Sequence, residues 1–376
     1  MSIYLDNAAT TPVCPQAAKA AYEAMTEGYG NPSSGYAIGQ AAAAKVKEYR
    51  AVVADRLGCL PEELTFTSCG TEGDNWAIRA AVEHGKRTGK HIITTAIEHD
   101  AILNCAKELE AQGYEVTYLQ PDSLGRITLE DLKAALRKDT ILVSIMMVNN
   151  EVGSVMPISA MAKLTHKVCP EAIFHTDAVQ GFLKVPFSAK TLGADLISVS
   201  SHKIHGPKGA GALYLSPRLK SFPPLILGGG QEGGLRSGTE AMPTILGFAA
   251  AAAAGAATWK EDTCREQELL AAFVEQVSSL EGVRINGAHE APHILSLSIP
   301  GLPTQNSINL LQDAGICVSA GSACAKGHRS HVLTAMHLPP EVMDGSFLIS
   351  LSRYSTQQEL DALLSVIRDT LLPRVR

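Results

Sequence analysis

No Cys-x-x-Cys pair occurs in this chain of 376 residues; its eight cysteines, at positions 14, 59, 69, 105, 169, 264, 317 and 324, are scattered. With 45% hydrophobic content the chain is long enough to build a large core without disulfide staples, so reduced thiols are expected. A long apolar run is also missing. The longest, residues 247–257, is too short and too rich in alanine for a membrane span, and Met1-Ser2-Ile3-Tyr4-Leu5-Asp6 lacks a charged segment leading into an apolar one. We expect a soluble, cytoplasmic protein with no membrane partner. Nor is there a basic excess: a formal net charge of −6 argues against direct sequence-specific nucleic-acid binding. The stretch Gly228–Gly234 lacks the Gly-Lys-Ser/Thr ending of a phosphate loop, and 206–211 has the wrong order for a dinucleotide fingerprint, so both are expected to be turns. No metal is expected; the best set of ligands would be Cys324, His328 and His331 on one loop.

What is present is an alternation of helix-like segments with short apolar strand candidates at 91–95, 114–119, 141–146, 173–177 and 196–200. That pattern argues for an α/β fold with a mostly parallel sheet between helices. Ligands in such sheets sit beyond the carboxyl ends of the strands. Glu98-His99, Asn149-Asn150-Glu151, Asp177 to Gln180 and His202-Lys203 each follow a strand candidate and are expected to meet in one crevice. An Ala-rich helix at 247–259, continuing through 261–280, reads as a long connector. Beyond it, strands at 283–285, 294–299, 316–318 and 347–351 and helices at 305–314 and 356–371 suggest a smaller α/β domain. We therefore expect a large domain over 15–256 and a small one formed by 1–14 and 257–376.

Lys203 lies in Ser200-Ser201-His202-Lys203-Ile204-His205-Gly206-Pro207, directly after a buried-strand pattern. An amine in that place can form a Schiff base while neighbouring hydroxyl, imidazole and N–H groups hold a phosphate, which are the needs of pyridoxal 5′-phosphate. A solvated turn lysine is the plainer alternative. Cys324 lies among small residues, with Lys326, His328 and Arg329 close after it, a setting that suits an accessible nucleophilic thiol. A small buried hydrophobe is the other fate of such a cysteine.

The ordered motifs 4–11 (Tyr-Leu-Asp-Asn-Ala-Ala-Thr-Thr), 30–34, 66–75, Glu98-His99, 148–153, 175–180, 200–208, 236–239 and Gly321-Ser322-Ala323-Cys324 resemble those of cysteine desulfurases, class V, fold-type I enzymes that use pyridoxal 5′-phosphate. The similarity runs over nearly the whole chain. It implies a large domain with a seven-stranded-type sheet and a smaller C-terminal domain carrying the catalytic cysteine loop. It also implies roles for particular residues. Lys203 binds the cofactor and moves protons; Asp177 partners the pyridinium nitrogen; His99 stacks on the ring; Gln180 donates to its phenolic oxygen. Gly70, Thr71, Ser200 and His202 hold the phosphate, joined by Thr239 of a second copy in a homodimer, while Asn150 and Arg353 hold the substrate carboxylate. From the residues alone, Asp177 could equally cap the next helix, Gly70 and Thr71 could be a plain helix start, and Arg353 a surface ion pair.

The resemblance implies removal of sulfur from L-cysteine, giving L-alanine and a persulfide on Cys324 that passes to an acceptor protein serving iron–sulfur cluster assembly, tRNA thiolation or cofactor biosynthesis. An aminotransferase or selenocysteine lyase would share Lys203 and Asp177, and a non-enzymatic sulfur carrier would need neither. Two departures from the family pattern stand out: the segment from Cys324 to Leu333 is a little shorter, without the Ser-rich continuation, and Ser352 replaces a glycine before Arg353.

Overall fold

The computed structural model describes residues 2–321 and 329–375. After a short β1 (Ile3–Tyr4), the strands β2 (Leu64–Thr67), β3 (His91–Thr95), β4 (Glu115–Leu119), β5 (Thr140–Ser144), β6 (Ile173–Asp177), β7 (Leu196–Ser200) and β8 (Gly211–Leu215) form one seven-stranded sheet in the order β2-β8-β7-β6-β5-β3-β4. Every pairing from β7 to β4 is parallel, and β8 runs antiparallel to both β2 and β7. The expected α/β architecture with a mostly parallel sheet is therefore what the chain adopts. Strands β5, β6 and β7 are buried at every position. Helices cover both faces of the sheet, which is why these strands read as apolar runs rather than alternating ones.

Two strands of this sheet, β2 and β8, were not among the strand candidates. β2 is only four residues long, and β8 opens on Gly211 directly after the glycine turn at 206–209, where periodicity carries little signal. Close packing explains the glycine at the start of β8: a Cβ on Gly211 would lie 2.8 Å from the Cys69 carbonyl carbon and from the Val199 oxygen.

The expected connector is one helix, Met242–Ser278, which begins five residues ahead of 247 with Pro243 in its first turn. By length and composition alone it is apolar enough to cross a membrane. Here its first half buries Met242, Ile245, Leu246, Phe248, Ala249, Ala251 and Ala252 against the helices Pro15–Thr26 and Ala37–Leu57. Its last turns place Leu270, Phe273 and Val277 in a second core with Leu5, Leu295, Leu297, Phe347, Ile349 and Leu363. That core lies on an antiparallel sheet of β9 (Arg284–Asn286), β10 (Ile294–Ser298) and β12 (Ser346–Ser350), with β11 (Ile316–Cys317) pairing with β1 in parallel. The pairing of β1 with β11 carries the chain's start across to Ser350, whose backbone accepts from the Asn7 side chain at 2.9 Å.

Candidate active site

The carboxyl ends of β2, β3, β5, β6 and β7 open onto a cavity of about 420 Å³. Its wall includes Gly70, Thr71, His99, Asn150, Asp177, Gln180, Ser200, His202 and Lys203, nine of the residues expected from sequence. Parallel β-strands ending on one side explain the convergence: residues far apart in the chain leave the sheet at the same edge.

Lys203 follows β7 in a 3₁₀ turn, Ser201–Lys203, and its Nζ donates to the carbonyl oxygens of Ala8 and, at 2.7 Å, Ala9. Burial lowers its pKa to about 8, partly opposed by the negative charges of Asp6 and Asp177. The segment 8–11 is held over the lysine from both sides, because Thr11 Oγ1 donates to the His202 carbonyl at 2.8 Å and accepts from the His205 N–H at 2.8 Å. His202 Nδ1 lies 3.2 Å from Thr10 Oγ1, and burial with Lys203 and Lys208 nearby brings its pKa down to about 4, so the ring is neutral.

Asp177 ends β6, buried, with Oδ1 accepting from the Val179 N–H at 2.8 Å. Burial raises its pKa, while that hydrogen bond and the charges of His99 and Lys203 work in the opposite direction. His99 caps the helix Asp100–Ala111, its Nδ1 accepting from the Ala101 N–H at 3.2 Å. Asn150 is presented by an Asx turn in which Asn149 Oδ1 accepts from the Glu151 and Val152 N–H groups at 2.9 and 3.0 Å. Gln180 is engaged on both sides, donating to the Ala8 oxygen at 2.9 Å and meeting His293 Nε2 at 3.2 Å.

Two expected residues lie elsewhere. Arg353 lines a separate cavity of about 30 Å³ with Trp259, Glu266 and His205, its guanidinium over the Tyr354 ring at 5.2 Å. Thr239 is exposed and off the cavity wall. Cys324 and His328 fall outside the described residues, although Ser319, Gly321 and His331 on either side of that segment line the cavity.

Sequence reasoning gave no role to Asp74 or Asp6. Asp74 is buried on the cavity wall, and the available signal was its spacing: on a helix starting at Gly70, position 74 shares a face with 70 and 71. Asp6 is pushed up to about 6 by burial against the pull of Lys203, a consequence of tertiary packing with no counterpart in the sequence.

The profile of the family described as Aminotransferase class-V matches residues 3–363. The chain belongs to this family. A cysteine desulfurase IscS from Methanosarcina thermophila is 40% identical to it over 370 residues, covering 97% of this chain and 91% of that protein. A cysteine desulfurase from Nostoc sp. is 42% identical over 386 residues, covering 100% and 94%. Among solved structures, a NifS-like protein superposes with a TM-score of 0.93 at 38% identity over 99% of both chains. Another, described as SspA in complex with cysteine, gives a TM-score of 0.79 at 32% identity, covering 94% of this chain and 100% of that one.

Membership of the class-V family implies pyridoxal 5′-phosphate, and the residues present fit it. Ser200 Oγ is buried on the cavity wall with no hydrogen-bond partner among the described residues. The 16-residue helix Gly70–Gly85 points its start at the same place, and among the described residues no side chain caps its first amides, which leaves them for a phosphate. Gly70 itself leaves the space open, since a Cβ there would lie 2.7 Å from Val179 Cγ2.

Proposed function

We infer that this class-V protein is a cysteine desulfurase: it takes the sulfur of L-cysteine, releases L-alanine, and carries the sulfur as a persulfide on Cys324 before an acceptor protein receives it. The observation that carries this reading is the meeting of Lys203, Asp177, His99 and a Ser200 hydroxyl unpartnered among the described residues in one cavity, in a chain similar over its full length to named cysteine desulfurases. Gly70, Thr71, Ser200 and His202 would hold the cofactor phosphate, Asp177 its ring nitrogen, His99 its ring face and Gln180 its phenolic oxygen, with Thr239 reaching the phosphate of a second copy in a cytoplasmic homodimer. When bound, the cofactor supplies an electron sink for negative charge at the substrate Cα.

The protein's own groups do the rest. Lys203, with a pKa of about 8, is neutral often enough near pH 7 to 8 to take the Cα proton and to return one. Asn150 binds the substrate carboxylate from the cavity wall, and Arg353 joins it only by turning out of its small cavity. The Cys324 thiolate attacks the substrate sulfur; an S–S bond forms as the C–S bond breaks, and the carbon takes up a proton to leave as alanine. Support for that role comes from the cavity position of Gly321 and His331, which flank the cysteine's segment. The acceptor serves iron–sulfur cluster assembly, tRNA thiolation or cofactor biosynthesis, and the shortness of that segment relative to the family leaves room for a dedicated partner.

The test is release of sulfide and alanine from L-cysteine in the presence of dithiothreitol. Equimolar products, lost in Cys324→Ala with the yellow colour kept, are expected; undiminished turnover in that variant would overturn the persulfide role and favour a lyase.

A further inference from the structure

Beneath the cavity lies a set of buried polar side chains that the chemistry above does not use. Asp74, 1% exposed, reaches the wall from one turn inside the helix Gly70–Gly85. Its Oδ1 has no hydrogen-bond partner among the described residues. Facing it from β6 are Asp177 and His175, two residues apart and so on one face of that strand. From β7 comes Ser198, which stands opposite Asp177 in the ladder and hydrogen-bonds the Asp74 carboxyl. Glu98, after β3, and Cys69, at the helix start, complete the titratable groups around it.

None of these neighbours offers Asp74 a positive charge. His175 Nε2 is the nearest nitrogen, at 3.6 Å, and that ring is already engaged, with Ser144 Oγ at 2.8 Å from Nδ1 and Ser198 Oγ at 3.0 Å from Nε2. Complete burial keeps His175 neutral, with a pKa of about 3. Asp177 is placed differently: it accepts a backbone N–H at 2.8 Å and feels His99 and Lys203. Two buried carboxylates that repel one another do not both ionise, and the proton settles on the one with less support. Burial and the repulsion of Asp177 both push Asp74 well above the usual carboxylate range.

We propose that Asp74 is a positioning residue that carries its proton at neutral pH and hydrogen-bonds as a neutral acid, leaving the negative charge on Asp177 for the cofactor's ring nitrogen. This rests on the cofactor reading above, but the proton on Asp74 is a property of the protein itself and is measurable without cofactor.

The experiment pairs infrared spectroscopy of the cofactor-free protein with visible titration of the holoenzyme, for wild type and Asp74→Asn. Expected is the loss, at pH 7, of a protonated-carboxyl stretch in the infrared difference, and a visible-band titration midpoint that stays within about 0.3 of a pH unit, because the amide mimics a neutral acid. Loss of an ionised carboxylate band, or a midpoint moved by about one unit or more, would overturn the proposal. Should Asp74→Asn not fold, wild type with 13C-labelled aspartate carboxyls, which separates Asp74 from the raised Glu98, must keep a labelled protonated band at pH 8; its absence would be equally fatal. A holoenzyme without visible absorption would instead sink the cofactor reading, and the infrared result would still decide Asp74.

Discussion

Replacing Gly70 by alanine isolates the steric requirement of the proposed phosphate cup. The added Cβ would sit 2.7 Å from Val179 Cγ2, with Ser200 Cβ at 3.8 Å. Carbon atoms in contact rest at about 3.5–4.0 Å, so roughly 1 Å of displacement is needed. Val179 is stiff at χ1, and its N–H holds Asp177 Oδ1 at 2.8 Å, so the strain is passed to Asp177, the proposed ring-nitrogen partner. Overpacking of this kind costs about 1–3 kcal/mol, against a helix-propensity gain of at most about 1 kcal/mol, so the net is a loss of about 0–2 kcal/mol when that gain is realised in full. We expect Gly70→Ala to bind pyridoxal 5′-phosphate about 10-fold more weakly or worse, read by absorbance titration of the cofactor-free protein. Gly255→Ala is the control. It lies inside the helix Met242–Ser278, and its Cβ would meet only Arg353 Nη1 and Leu183 Cδ1 at 3.4 Å, so affinity stays within about 2-fold and Tm rises slightly. Wild-type affinity in Gly70→Ala would refute the reasoning.

Lys203 has a folded pKa of about 8 against 10.5 in the unfolded chain, so between those values the unfolded state binds more protons and stability rises with pH. Denaturant unfolding of the cofactor-free protein should show this slope, worth about 3 kcal/mol across the window, and Lys203→Met should abolish it. Glu98 behaves in the opposite sense: buried, with a pKa of about 8, it costs stability as pH rises from the unfolded value of 4.5 toward 8. Glu98→Gln should remove that decline and cost less than about 1 kcal/mol at pH 5; a larger loss there would contradict a protonated Glu98. Asp195 is buried, and although burial alone would raise its pKa, hydrogen bonds from His166, Arg218 and the Phe174 N–H at 2.8–3.0 Å hold it below the usual range. Its contribution is present above about pH 4 and lost as pH falls further; Asp195→Ala should cost about 3–5 kcal/mol in urea unfolding, and a loss below about 1 kcal/mol would show the cluster to be dispensable.

The sheet's central strands were legible because helices on both faces demand continuous apolar runs, and 173–177 and 196–200 match β6 and β7 residue for residue. The polar groups directly after them were legible for the same reason, since the carboxyl edge of a parallel sheet is where a chain can expose them to a ligand. What the amino-acid order determined, then, was the class of fold and most of the cavity's chemistry. Only the tertiary structure decided the rest. β2 and β8 are specified by the gap between Cys69 and Val199 that admits Gly211, a constraint between residues distant in sequence. Arg353 is drawn onto Tyr354 and a second small cavity by packing that no motif encodes. The opposition of Asp74 to Asp177 exists only because helix Gly70–Gly85 lies across β6, and the cost of burying two charges together acts through space rather than along the chain.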